Sequence, residues 1–289
     1  MSTAAASRLG WYVRQTASSI VGALAASGRQ IGGRPGHRPS RFPGAGITLL
    51  RTSGRNEIWC RCDCGSHKTV GFAADAHAEA LSVEVRYAGV DILVGPGICC
   101  YRGERACRSS REIEVLDDGD IARWTAEHVG DPSLDPPALH RRSVLLDRAS
   151  RSIDIVDQID GGSHDIRLAF HLGPDVQAEL EELCAVLDWP TASTPGAARL
   201  ELPPGLRWSL HRGETDPVLG RYFAGPGRRV RAVTLLGCGR CAPGMLLTAR
   251  LEFLDVGKSG KSAVSRQAIS WTSSVALPDK APEIQAEAP

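Results

Sequence analysis

The chain has 289 residues, 42% of them hydrophobic, enough to bury a sizeable core as one large domain or two smaller ones. Its 34 basic and 33 acidic side chains leave a formal charge of +1, so net charge does not mark it as a nucleic-acid binder. No run approaches the ~18 apolar residues of a membrane span, which excludes a spanning helix.

From the N-terminus, residues 1–60 carry eight arginines and one acid, Glu57, the layout of a solvated arginine-rich extension. Residues 4–28 have helical composition. Within them SSIVGALAASG fits a short amphipathic helix better than a signal peptide, having only Arg8 and Arg14 ahead of it. Without a convincing export signal the protein is expected in the cytoplasm. GGRPGHRPSRFPGAG then reads as a linker, so residues 1–41 are taken as a helix and a linker.

Short β-type runs separated by turn residues follow. They are 46–51, 57–63, 81–87, 91–95, 122–128, 140–147, 151–160, 163–172, 198–202, 206–212, 228–236 and 246–255. The stretch 175–189 has helical propensity, yet its strand neighbours favour two strands turning at Glu181–Glu182. Many strands at roughly ten-residue spacing, with turns such as Gly161–Gly162, predict an all-β fold. It is a large antiparallel two-sheet β-sandwich over 42–275, preceded by a short N-terminal helix. Residues 276–289, rich in Pro, Ala and acid, are expected to be a disordered tail.

The nine cysteines do not form a metal or disulfide pattern. Cys60, Cys62 and Cys64 share one face of a strand with a repeat of roughly 6.5–7 Å, too far apart for a regular strand to place all three on one zinc ion. Cys238 and Cys241 form a lone CxxC between two strand-like runs, and the vicinal pair Cys99–Cys100 fits reduced thiols. DVGKSGKS (255–262) lacks the first glycine of a phosphate loop. His164 and His171 fall on opposite faces of a strand, as do Asp154 and Asp157, so neither pair makes a shared site. His140 is expected to end a sheet edge.

One stretch carries more. AHAEALSVEVRYAGVDILVGPGICCYRGERACR (76–108) resembles the segment bearing the HxHxD-x-L-S-F-E-L and L-V-D-P-G-T-Y-x-Y signatures of the heparinase II/III-like family. HRRSVLLDRASRSIDIVDQIDGGSHDIRLAFHL (140–172) is similar to the hairpin region that follows them, and FPGAGITLLRT (42–52) to the opening strand of that family's C-terminal β domain. The resemblance spans roughly 42–255. It implies descent from polysaccharide lyases, built as an α/α toroid followed by a two-sheet β-sandwich. Such enzymes cleave uronate glycans by β-elimination, with a base, an acid and an offset for the substrate carboxylate, and some carry zinc in the β domain.

Carried over residue by residue, the family pattern is incomplete. The second histidine of HxH, a metal ligand in relatives, falls on His77. The first, a catalytic candidate, falls on Asp75, and the following acid on Glu79, which is at most an auxiliary metal ligand. The aspartate of D-P-G falls on Gly95, only Tyr101 survives of Thr-Tyr-x-Tyr, and the Ala-His-Asn-Thr segment has no counterpart. The resemblance therefore implies a lyase-related protein with impaired or absent activity and, at a degraded site, zinc at most. An acidic polysaccharide is the implied partner, with Arg86 and Arg108 as anion contacts. An active lyase using His77 with Asp75 or Glu79 and Tyr101 is one alternative, and a scaffold that binds no glycan is another. For localisation, the periplasm or exterior, as in some relatives, is the alternative.

Overall fold

In a computed structural model the described residues are 38–64, 81–95, 108–129, 136–225 and 228–254, with only the backbone of Arg108, Ser109 and Gly225. All lie in one compact unit, Met1–Asp255; a second unit, Val256–Pro289, falls outside the described residues, as does the helix expected over 4–28. Among the described residues there is no α-helix, only a single 3-10 turn at Pro43–Ala45.

In chain order the strands are β1 (Arg41–Phe42), β2 (Ile47–Arg51), β3 (Ile58–Asp63), β4 (Val83–Tyr87), β5 (Val90–Leu93) and β6 (Arg108–Asp117). Then come β7 (Ile121–Val129), β8 (Leu139–Asp147), β9 (Ser152–Asp160), β10 (Asp165–His171), β11 (Gln177–Glu181) and β12 (Cys184–Asp188). The last are β13 (Ala197–Glu201), β14 (Arg207–Arg212), β15 (Arg221–Gly225), β16 (Arg228–Arg231), β17 (Val233–Arg240) and β18 (Met245–Leu254). They form a five-stranded sheet β1-β2-β3-β4-β5, an eight-stranded sheet β11-β12-β13-β18-β9-β8-β7-β6, a three-stranded sheet β10-β17-β14 and the hairpin β15-β16. Every named pairing is antiparallel. An isolated bridge, Leu93 to Leu172, joins the five- and three-stranded sheets edge to edge. Gly173 lies just beyond it, where a Cβ would sit 2.0 Å from the Asp91 carbonyl, so the close approach requires glycine.

The period of two decides which face each strand buries. On β7, β8 and β9 the residues Trp124, Ala126, Val144, Leu146, Ile153 and Ile155 turn inward; on the facing sheet Cys60, Cys62, Val85 and Tyr87 do. One core cluster contains both sets. At its centre Tyr87 stacks on Phe253 with ring centroids 4.8 Å apart and lies 5.7 Å from Trp189. Burying a large side chain of this kind contributes roughly 1.5–3 kcal/mol.

The stretch 175–189 is two strands, as expected, with Glu182 at φ 52 in the turn. The run 228–236, expected as one strand, is two: it breaks at Ala232, and β16 and β17 belong to different sheets. Strands β6 and β15 were not anticipated. β6 carries two bulges, between Arg108 and Ser110 and between Glu112 and Glu114, which disrupt its alternation. The described cysteines are free, as expected, but the sulfurs of Cys60 and Cys62 lie only 3.9 Å apart because their side chains converge within the core.

Candidate functional site

Of the residues singled out in the sequence, Asp75, His77, Glu79 and Tyr101 lie outside the described residues. The residues that flank them are described. Segment 65–80 is bounded by Cys64 and Leu81, and segment 96–107 by Gly95 and Arg108. These described flanks, Cys64, Leu81, Gly95 and the start of β6, gather at one end of the domain. Ser110 Oγ donates to the Cys64 carbonyl at 3.0 Å, Asp63 N–H donates to the Ser82 carbonyl at 3.1 Å, and Gly95 lies beside Glu84.

The floor of this end is a buried ionic cluster. The carbonyl of Leu81, four residues after His77, accepts a 2.7 Å hydrogen bond from Arg142 Nη1. The rest of that guanidinium grips Asp157 as a fork, Nε to Oδ1 at 2.6 Å and Nη2 to Oδ2 at 2.9 Å. His140 Nε2 meets the same carboxylate at 2.6 Å. Pairing of β7, β8 and β9 sets this up: Arg142 is opposite Asp157, and His140 is opposite His128. His140 therefore does not end a sheet edge, as expected from the sequence; it lies between two neighbouring strands and is tied to a carboxylate.

The side chain of Asp157 is 3% exposed and that of Arg142 15%. Burial alone pushes the Asp157 carboxyl up, but the Arg142 charge and the hydrogen bonds from His140 and Arg142 outweigh it and hold its pKa at about 2. Burial, and then the His140 charge, push the His128 imidazole down. Asp154, on the opposite face of β9, pairs with Arg250, confirming that the two aspartates make no shared site.

The outer face of the five-stranded sheet carries a second polar cluster. Arg61 pairs with Asp63 at 2.6 Å and with Glu84 at 3.3 Å, while Arg86 pairs with Asp91 and lies 5.2 Å over the Trp59 ring. Its two guanidiniums face three carboxylates, so Arg86 is not a surplus positive charge. Tyr222, on the hairpin, is held in this field: burial and then the charges of Asp91 and Glu84 raise its pKa. That hairpin carries four arginines, Arg221, Arg228, Arg229 and Arg231, and no acid between 221 and 231. The other anticipated anion contact, Arg108, opens β6 opposite Val129; its side chain is not described. A cleft of about 430 Å³ opens between β1–β2 and β6, lined by Cys64 and Ser110 among others, with Glu112 bonded to Arg41 and to Thr48.

Could this end hold zinc? Among the described residues no group of three or more His, Cys, Asp or Glu is arranged around a common point. Gly95 has no side chain, and a Cβ there would stand 3.4 Å from Glu84 Oε1. Asp157 is already engaged by three donors, and burial pushes the Cys64 thiol up to about 11, far from thiolate. The described donors do not fit the metal. Sequence reasoning missed Arg142 and Glu84 and weighed Asp157 only as a partner of Asp154; the Val-Glu-Val of the signature segment marks Glu84, whereas a cross-strand pair shows itself only once register is known.

The chain matches the family model of the heparinase II/III-like C-terminal domain over residues 34–128 and 103–272, and it belongs to that family. Its fold is similar to that of heparan sulfate lyase HepC from Pedobacter heparinus, with TM-score 0.58 and 14% identity over 86% of this chain and 41% of that one. It is also similar to the heparinase III BT4657 gene product, with TM-score 0.57 and 14% identity over 77% of this chain and 38% of the other. The chain thus spans about two fifths of the length of these lyases. No curated protein matches it.

Proposed function

We propose that the chain is a lyase-related domain that binds acidic glycans and has impaired or no lyase activity of its own. The five- and three-stranded sheets act as one layer of a two-sheet sandwich over the eight-stranded layer. The observation that carries the reading is Gly95. At the position where the family places a ligating aspartate there is no side chain, and the adjacent Glu84 carboxylate is occupied by Arg61. An aspartate here would set a second carboxylate beside Glu84, an arrangement that a bound cation favours and its absence disfavours.

Glycan contact is assigned to the arginine hairpin, where Arg228 and Arg231 are exposed, with the Trp59 ring as an apolar contact on the neighbouring sheet; Arg86, already paired with Asp91, orients that ring rather than adding net positive charge. Binding of this type is driven by charge and weakens with salt. The test is incubation of the protein with uronate polysaccharides, following the ultraviolet absorbance of unsaturated products and, separately, binding by calorimetry. The expected outcome is no absorbance change with or without zinc, and salt-sensitive binding that falls in an R228E/R231E variant. An absorbance rise abolished by His77→Ala establishes the active lyase instead, and absence of binding establishes the scaffold.

A further inference from the structure

We propose that Ser209, His211 and Glu214 form a hydrolytic triad for short-chain carboxylic esters on the outer face of the three-stranded sheet. The inference is independent of glycan binding and of zinc. On β14 the period of two sends Trp208 and Leu210 to the core side, where Trp208 stacks on Phe170 at 5.9 Å. Ser209 and His211 therefore share the opposite face. Ser209 Oγ lies 2.8 Å from His211 Nε2, and His211 Nδ1 lies 2.9 Å from both carboxylate oxygens of Glu214. A carboxylate only accepts, so Nδ1 carries the hydrogen and Nε2 of the neutral ring is the acceptor facing the hydroxyl. The alternative acceptor for that hydroxyl, the Leu236 carbonyl, is farther away at 3.2 Å. Nucleophile, base and orienting carboxylate thus meet through the correct nitrogens, the criterion by which such triads are recognised on unrelated folds.

Glu214 is held in place by its loop. Gly213 N–H donates to the Gly220 carbonyl and Glu214 N–H to the Leu219 carbonyl, both at 2.8 Å. The Arg221 guanidinium clamps the Glu214 and Gly213 carbonyls at 2.7 and 2.8 Å. Gly220 lies so close to the end of β14 that a Cβ would stand 2.5 Å from the His211 carbonyl. The side chains of His211 and Glu214 remain 20% and 40% exposed, and Ser209 is half-buried, so the group is accessible.

The surroundings specify the substrate class. Ser209 shares its row with Leu236 and Ala169, both half-buried, a small apolar strip suited to an acyl group. Rows of Arg167, Cys238 and Arg207 on one side, and His171, Thr234 and His211 on the other, bound it roughly 6.5–7 Å along the strands. A strip one repeat long matches the length of a short acyl chain. Arg207 is exposed, makes no ion pair among the described residues and brings positive charge to where an oxyanion develops.

In the reaction Ser209 Oγ attacks the ester carbonyl carbon while its proton passes to His211 Nε2. The intermediate collapses, the alcohol oxygen leaves with that proton, and Ser209 is acylated. Water then attacks the acyl carbon and gives a proton to His211. That proton returns to Ser209 Oγ as the acyl bond breaks, so one ester and one water yield one acid and one alcohol.

The test treats the full chain with a fluorophosphonate probe, maps the adduct by peptide mass spectrometry and measures p-nitrophenyl acetate turnover. We expect an adduct on Ser209 that is lost in H211A, and turnover that falls about 100-fold or more in S209A. Glu214 is a positioning residue: E214Q lowers kcat at unchanged KM, and E214D recovers part of it. No adduct on Ser209 of the unmutated chain, or turnover that survives S209A, overturns the proposal. A hydrogen-bond chain that only pins the 213–220 loop gives that negative result, and labelling of the unmutated chain decides even where a variant misfolds.

Discussion

Asp154 and Asp157 lie three residues apart on β9, face opposite sides of the eight-stranded sheet, and each meets an arginine on a neighbouring strand. The deeper of the two, Asp157, is the stronger acid, with its carboxyl held at about 2, while burial, only partly offset by Arg250, pushes the Asp154 carboxyl up. Depth alone predicts the reverse. What differs is the supply of donors. Asp157 receives Nε and Nη2 of Arg142 on separate oxygens and His140 as well. Asp154 receives one nitrogen, Arg250 Nη1, on both oxygens, and the nearby Asp147 charge opposes its ionisation. A buried carboxylate is stabilised by the number and separation of its hydrogen bonds.

The sharpest way to break this comparison is to remove the inner carboxylate. Asp157→Ala strands the Arg142 cation in the core and is expected to cost about 3–5 kcal/mol in urea unfolding, whereas the double change to apolar residues recovers most of it. Acid titration comes next. Because the Asp157 pKa in the fold lies below its unfolded value of about 3.9, its contribution is fully present above pH ~4 and is lost as pH falls through about 2. The shift corresponds to roughly 2–3 kcal/mol, and an Asp157→Asn variant should lack this part of the stability-pH curve. Asp154 has the opposite sign: its raised pKa makes its contribution fall as pH rises, so Asp154→Asn should not reproduce that acid limb. Arg142→Lys keeps the charge but loses the fork and the bond to Leu81, for about 1–3 kcal/mol by the same unfolding assay. Smallest is Arg250→Ala on the outer face, expected below about 1 kcal/mol and smaller still at high salt.

Much of the fold was legible in the sequence because strand alternation is a local signal. GITLLR, LSVEVRY and RSIDIVDQID each became a strand in place. β6 was not, since its two bulges shift the alternation and leave Ile113 and Leu116 44% and 52% exposed. The split at Ala232 was equally hidden, because no turn residue marks it. Of the candidate site, the signature segment was readable as a linear pattern, whereas the Arg142–Asp157 pair, whose arginine holds the Leu81 carbonyl within that segment, is created by strand register. Ser209 and His211 share a face by the period of two, but only the folded 213–220 loop brings Glu214 back to them.

The bulges of β6 also bear on how copies of the chain meet. Among the described residues β6 is the outer strand of the eight-stranded sheet, ten residues long, and a flat edge of that length is a template for joining another sheet. Two register breaks within it interrupt the row of amides and carbonyls, so an incoming strand finds only short matching stretches. At the opposite border, β11 exposes Glu179 and Glu181. The large sheet is thereby guarded at both borders against growing into a fibre, by irregular backbone on one side and by negative charge on the other.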